Sequence, residues 1–240
     1  MYACVVAFYL GKRRMEHPEF VKDRLYYLRK QLMFFKENKI NGMDLLVIVI
    51  NSDDTNDDDS ISKLVNEFDL PCEKLLLIRP NTDGSYGAWH DAVIDIIESR
   101  SDIDAVMLIE DDYIPVRTDF LDLFYVKLKD NVGYVCQYWS SNLCTPEHAS
   151  ISNGMLDINK AKEIYKVYDK VFELINGSRY DDFATNQINF LNLIKTKYKI
   201  VDMKEYRHPF VNGLNINGNL NVCFYGNGNE VLIRPITEGT

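Results

Sequence analysis

Ala105-Val106-Met107-Leu108-Ile109-Glu110-Asp111-Asp112 is the stretch on which the fold turns. An unbroken apolar run without polar alternation suits a strand buried on both faces, and a triplet of acids follows it at once. In open α/β sheets ligands bind outside the carboxyl ends of the strands, so acids in that position crowd into the expected crevice. Adjacent carboxylates repel one another unless a cation neutralises them. Ligation by oxygen alone suits Mg2+ or Mn2+, which keep waters and share phosphate oxygens with a substrate. The plainer reading of the triplet is a solvated acidic turn, and its place directly after a buried strand weighs toward a site.

Outward from this stretch, short apolar runs alternate with amphipathic segments, the pattern of a largely parallel sheet covered by helices on both faces. Further strands are predicted at Ala3–Tyr9, Leu45–Ile50, Leu75–Ile78 and Tyr134–Tyr138. A first helix is predicted to open at Pro18 and Glu19 and to carry Val21, Leu25, Leu28, Leu32 and Phe35 at spacings of three and four. Ile61, Leu64, Val65 and Phe68 form a second stripe, and Trp89, Ala92, Val93, Ile96 and Ile97 a third after Gly84-Ser85. Thr118 can cap a helix carrying Leu121, Phe124 and Leu128, and Asp157 one carrying Ala161, Ile164, Tyr168 and Val171. A last helix is predicted over Asp182–Ile194, then a strand at Lys199–Asp202. From Val211 the texture turns to Asn and Gly. Asn221–Tyr225, Gly226-Asn227-Gly228 and Glu230–Arg234 read as a hairpin, because Asn-Gly supplies the positive φ of a tight turn. One α/β domain is therefore expected over 1–210, with an extension over 211–240 packed on it.

The 240 residues, 46% hydrophobic and 26% charged, can fill a core without staples. A net charge of −9 argues against a general nucleic-acid binder, which needs a basic face. It leaves a nucleotide ligand open, since a metal ion can supply the local positive charge. The five cysteines, Cys4, Cys72, Cys136, Cys144 and Cys223, show no CxxC spacing and read as free thiols of a reducing compartment. The run Ala3–Leu10 is too short to span a membrane, and its basic residues follow it where a signal peptide has them first. A cytoplasmic protein is expected.

A strand ending in Glu110-Asp111-Asp112, preceded by Asn81-Thr82-Asp83-Gly84-Ser85-Tyr86-Gly87-Ala88-Trp89-His90, resembles the GT-A nucleotide-diphospho-sugar glycosyltransferases, family-2-like. Ile50-Asn51-Ser52-Asp53-Asp54-Thr55-Asn56-Asp57 resembles that family's Val-Asp-Asp-Gly-Ser-Thr-Asp run. The resemblance covers about residues 3–210 and implies a Rossmann-like fold with a mixed, mostly parallel sheet flanked by helices. It implies a metal-dependent transfer of a sugar from a nucleotide-diphosphate donor, UDP-sugar favoured, to a glycan or other hydroxyl acceptor, with inversion. Asp112 would hold Mn2+ or Mg2+, with His208 completing the site, while Glu110 or Asp111 would contact the ribose or reach the metal through water. Tyr9 and Gly11 would lie near the base, and Asn51 and Asp53 would contact base or ribose. Asn81 and Gly84 belong to the donor-binding segment, and Asp182, with Asp181 beside it, would be the catalytic base. Trp89 stands where many members carry a phosphate-contacting Arg, so that role would pass to Arg207, Arg79 or Lys12.

Plainer readings stand beside these. The run Asp53–Asp59 can be a solvated loop, and it is no EF-hand, because Asp58 replaces the turn glycine and Leu64 falls where the bidentate Glu belongs. His208 can be an ordinary surface or core histidine, Asp181-Asp182 a helix cap, and Trp139 a core residue in place of a sugar-stacking platform. Two other functions share the pattern: a sugar-1-phosphate nucleotidyltransferase, for which Leu10-Gly11-Lys12-Arg13-Arg14 offers a poor version of the required loop, and a non-catalytic nucleotide- or glycan-binding relative.

Overall fold

The computed structural model describes residues 1–10, 25–52, 58–111, 113–115, 118–137, 139–142, 145–149, 151, 153–174, 186, 188–203 and 224–225. Its centre is a seven-stranded sheet. Strands β1 (Tyr2–Tyr9), β2 (Met43–Ser52), β3 (Glu73–Pro80) and β4 (Ala105–Glu110) alternate with helices α1 (Tyr26–Glu37), α2 (Asp58–Glu67) and α3 (Gly84–Ser99). Then come β5 (Ile114–Pro115), α4 (Phe120–Tyr125), β6 (Val132–Cys136), β7 (Trp139–Asn142), β8 (Thr145–Ala149) and β9 (Gly154–Asp157). Helices α5 (Ile158–Tyr168) and α6 (Asn192–Lys195) lead to β10 (Lys199–Asp202) and β11 (Phe224–Tyr225). The sheet order is β10-β6-β9-β4-β1-β2-β3, and only β9 runs against its neighbours. The expected α/β class, with a mixed, mostly parallel sheet flanked by helices, is what the chain adopts.

The period of two sorts the strands' side chains into two cores. Cys4, Val6 and Phe8 of β1, with Leu46, Ile48 and Ile50 of β2, face the layer of α1, α2 and α4. Ala3, Val5 and Ala7, with Leu45, Val47 and Val49, face the layer of α3, α5 and α6. Both strands are buried nearly throughout, the burial that their unbroken apolar runs require. β3, at the edge of the sheet, is half-buried. Its Lys74 donates to the carbonyls of Val65 and Phe68 at the end of α2, where a cation complements the helix dipole.

Several boundaries differ from the sequence reading. Asp157 caps α5 as expected, its Oδ1 accepting from the Lys160 amide at 3.0 Å. That helix stops at Tyr168, where Asp169 turns left-handed at φ 56°, so Val171 is buried beyond the helix rather than on it. Thr118 does not cap α4: Asp119 holds the N-cap position without a side-chain bond, and the Thr118 carbonyl accepts instead from the Asn41 amide at 2.9 Å. α4 also ends before Leu128. β6 begins at Val132 and ends at Cys136, with Tyr138 outside the described residues, as are the proposed helix start at Pro18 and Glu19 and residues 182–185 of the last helix. No strand is predicted at Gly154–Asp157, yet β9 is inserted there, antiparallel between β4 and β6. In the tail, Phe224–Tyr225 pairs antiparallel with Ile114–Pro115, next to the acidic triplet; the expected partner Glu230–Arg234 lies outside the described residues.

Cys4 and Cys136 are buried and Cys72 is half-buried, with no disulfide among the described residues, while Cys144 and Cys223 lie outside them. Among the described residues no helix is long and apolar enough to cross a membrane.

Candidate functional site

β1 and β4 lie side by side and parallel, with β2 and β3 beyond the one and β9, β6 and β10 beyond the other. The strand order reverses between them, which opens a crevice at their carboxyl ends. The middle acid of the triplet faces inward at that end of the sheet. Asp111 is 1% exposed, and its Oδ2 accepts from the Tyr9 amide at 3.1 Å, while its own amide donates to the Ala7 carbonyl at 3.1 Å. Leu10 donates to the Asn51 carbonyl at 3.1 Å, so the ends of β1, β2 and β4 are laced together. Glu110, by contrast, is only partly buried. Its charge reaches the buried Tyr86 phenol, whose pKa is pushed well up, by burial first and by Glu110 second.

Because the Tyr9 amide donates to the Asp111 carboxylate in a part-buried bond, Asp111→Ala is expected to cost about 1.5–3 kcal/mol, the range for a hydrogen bond to a charged group. Asp111→Asn keeps an accepting oxygen and should cost less than half as much. Urea unfolding of the two variants measures the difference.

The neighbouring lip is built by β2, β3 and the start of α3. Asn51 is buried; its Nδ2 donates to the Gly84 carbonyl at 3.1 Å, and its Oδ1 accepts from Arg79 Nη1 at 2.8 Å. Arg79 also donates to the Thr82 carbonyl at 2.8 Å, to Thr82 Oγ1 at 3.0 Å and to Asp91 at 2.6 Å. Bonds from His90 and the charge of Arg79 hold the Asp91 carboxyl below the usual range. A Cβ at Gly87 would stand 2.6 Å from the Thr82 carbonyl and 2.8 Å from either guanidinium nitrogen, so only glycine admits this packing. The described geometry thus directs the Asn51 and Arg79 side chains to the first turn of α3. Asn81 joins the same lip, its amide donating to the Ser52 carbonyl at 3.2 Å. Gly84 has φ +56°, and a Cβ there would meet nothing within 4 Å. The α3 N-cap, Asp83, makes no side-chain cap bond, and the positive end of the 16-residue helix lies at this turn.

Trp89, at the position where the resemblance leads one to look for an arginine, is fully buried. Its Nε1 donates to the Ile109 carbonyl at 3.2 Å, and its ring meets Tyr86 edge-on at 5.6 Å and Phe190 at 6.2 Å. It is a strut beneath the acidic turn.

Tyr9, Asn51, Asn81, Gly84, Glu110 and Asp111 are therefore gathered along one edge of the sheet. Gly11, Asp53, Asp112, Asp181, Asp182, Arg207 and His208 lie outside the described residues, as does Lys12. Among the described residues no three His, Cys, Asp or Glu side chains form a metal-holding group. Of the described part of the triplet, Asp111 is buried against the Tyr9 amide and Glu110 is partly buried.

The sequence reading missed three buried carboxamides here. Gln31, on α1, is 1% exposed and donates from Nε2 to the Tyr113 carbonyl at 2.7 Å and the Asp111 carbonyl at 3.2 Å. Asn153 donates from its amide to the Leu108 carbonyl at 2.8 Å and from Nδ2 to Gln137 Oε1 at 3.4 Å. Gln31 Oε1, Gln137 Nε2 and Asn153 Oδ1 are buried with no hydrogen-bond partner among the described residues. A polar residue interrupting an apolar stripe, as Gln31 does between Leu28 and Leu32, is the signal that could have found the first.

No family model matches this chain, and no curated protein matches it. Among solved structures it is similar to a 4-diphosphocytidyl-2C-methyl-D-erythritol synthase, at 8% identity and a TM-score of 0.47, covering 84% of this chain and 87% of that one. It is also similar to HddC from Yersinia pseudotuberculosis, at 14% identity and a TM-score of 0.42, covering 68% of this chain and 79% of that one. Likenesses this slight say nothing of what this chain binds.

Proposed function

We propose that the chain is a metal-dependent glycosyltransferase that binds a nucleotide-diphosphate sugar, UDP-sugar favoured, at the carboxyl ends of β1 and β4. The observation that supports this reading is the reversal of strand order between β1 and β4, with the partly buried Glu110 at the carboxyl end of β4 and the start of α3 bonded to Asn51 at the end of β2. Asp112, with His208, is assigned to the divalent cation, Mn2+ or Mg2+. When bound, that cation acts as a Lewis acid toward the departing diphosphate. Glu110 contacts the ribose or a metal-bound water, and the first turn of α3 at Gly84 faces a phosphate. Asp182, with Asp181 beside it, removes the proton from the attacking hydroxyl of a glycan or related acceptor, so that the sugar is transferred with inversion.

A second reading, sugar-1-phosphate nucleotidyl transfer, is supported by one feature of the sequence: the basic run Lys12-Arg13-Arg14, a composition that suits a triphosphate. Paired assays separate the two. Nucleoside diphosphate released from a panel of nucleotide sugars in Mn2+ is the outcome the first reading expects. Pyrophosphate released from nucleoside triphosphate and a sugar 1-phosphate, with no diphosphate from the first panel, overturns it in favour of the second. Binding without turnover in either assay leaves a non-catalytic relative. Product stereochemistry by NMR then tests Asp182, since retained configuration contradicts a base across from the leaving group.

A further inference from the structure

We propose that the outer edge of β3 pairs antiparallel with the same strand of a second copy of this chain, joining two sheets across a twofold axis. β3 ends the sheet order, and among the described residues no strand pairs with its outer side. The Asn81 amide donates inward to the Ser52 carbonyl, so the alternating backbone groups of Leu75, Leu77 and Arg79 also face β2. Those of Lys74, Leu76 and Ile78 then face outward, a row of donors and acceptors that can template another strand. Pro80, which has no N–H to give, falls on the outer side, where an edge strand tolerates it.

The edge is complementary to itself. With Leu76 on the axis, Leu76 meets its own copy, and Lys74 and Ile78 meet each other, as pairs that exchange both backbone bonds. Leu75 then lies opposite Leu77, and Glu73 opposite Arg79 at both ends, in the close positions where opposite charges attract. Centring the pair on Leu75 or Leu77 instead removes that opposition of charges. The side chain of Glu73 is 60% exposed and held only by a surface pair with Arg100. Lys74, the kind of charge that guards an edge, is turned away onto the Val65 and Phe68 carbonyls at the end of α2. Between them Leu75, Leu76, Leu77 and Ile78 are half-buried, so a second copy covers apolar surface on both faces of the strand. The opposite edge of the sheet, β10, is only four residues long.

The test measures the mass of the full chain by light scattering from micromolar to millimolar concentration. A mass rising toward twice 27.9 kDa is expected. Glu73→Lys sets a cation opposite Arg79 twice in each dimer and is expected to raise the dimer dissociation constant about 10–100-fold. Glu73→Gln should raise it less, and the circular dichroism spectrum of either variant should match that of the wild type. Amide exchange followed by NMR locates the contact: Lys74, Leu76 and Ile78 gain protection as concentration rises, while Leu75 and Leu77, already bonded to β2, do not. A monomer throughout the range overturns the proposal. So does a dimer that Glu73→Lys leaves as tight as before, or one that leaves exchange at Leu76 unchanged, or assembly beyond two copies.

Discussion

Trp89→Ala is expected to lower the unfolding free energy by about 3–5 kcal/mol, the range for deleting a buried Trp. The ring is wholly buried against Tyr86 and Phe190, so its removal leaves a cavity within the core. The Nε1 bond to the Ile109 carbonyl adds a second loss, directly before Glu110. Trp89→Phe separates the two: most of the packing survives, and about 1 kcal/mol is expected for the hydrogen bond alone. Trp89→Arg discriminates between readings of this position. A surface contact to phosphate accepts arginine, whereas a core strut does not, so Trp89→Arg should destabilise at least as much as alanine. Urea unfolding followed by circular dichroism measures all three. Trp89→Arg with wild-type stability would show that the strut assignment is wrong.

Asp112→Asn is expected to cut transfer by about 10³-fold or more, because a Lewis acid contributes several kcal/mol and each 1.36 kcal/mol is a factor of ten. The residue follows Asp111, which faces inward, and Glu110, which is only partly buried. Asparagine keeps the shape and removes the charge that a cation needs. The fold should persist, read as an unchanged melting point without ligand. The extra stabilisation that Mn2+ gives in the presence of UDP should vanish. Full activity of Asp112→Asn in the presence of a chelator would end the metal assignment.

The architecture was legible where burial is two-sided. The runs at Ala3–Tyr9, Leu45–Ile50 and Ala105–Ile109 read as strands, and they are the adjacent interior strands β1, β2 and β4 of the sheet. β9 was not legible, because Gly154-Met155-Leu156 is too short to show a period and runs straight into the Asp157 cap. Its glycine answers to a partner remote in sequence: a Cβ at Gly154 would lie 2.1 Å from the Tyr134 hydroxyl. The position of the acidic triplet was legible from the strand before it. The inward turn of Asp111 was not, since it depends on the Tyr9 amide 102 residues away. The engagement of Asn51 by Gly84 and Arg79, and of Gln31 by the acidic turn, is likewise tertiary, and no local pattern records it.

The central claim is that a nucleotide binds at the carboxyl ends of β1 and β4, and hydrogen–deuterium exchange with and without UDP and Mn2+ tests it most directly. Protection is predicted in peptides containing Tyr9, Gly84 and Glu110, with the amino ends of the same strands, at Tyr2, Met43 and Ala105, unchanged. Protection confined to those amino ends, or no protection at saturating UDP and Mn2+, would contradict the account.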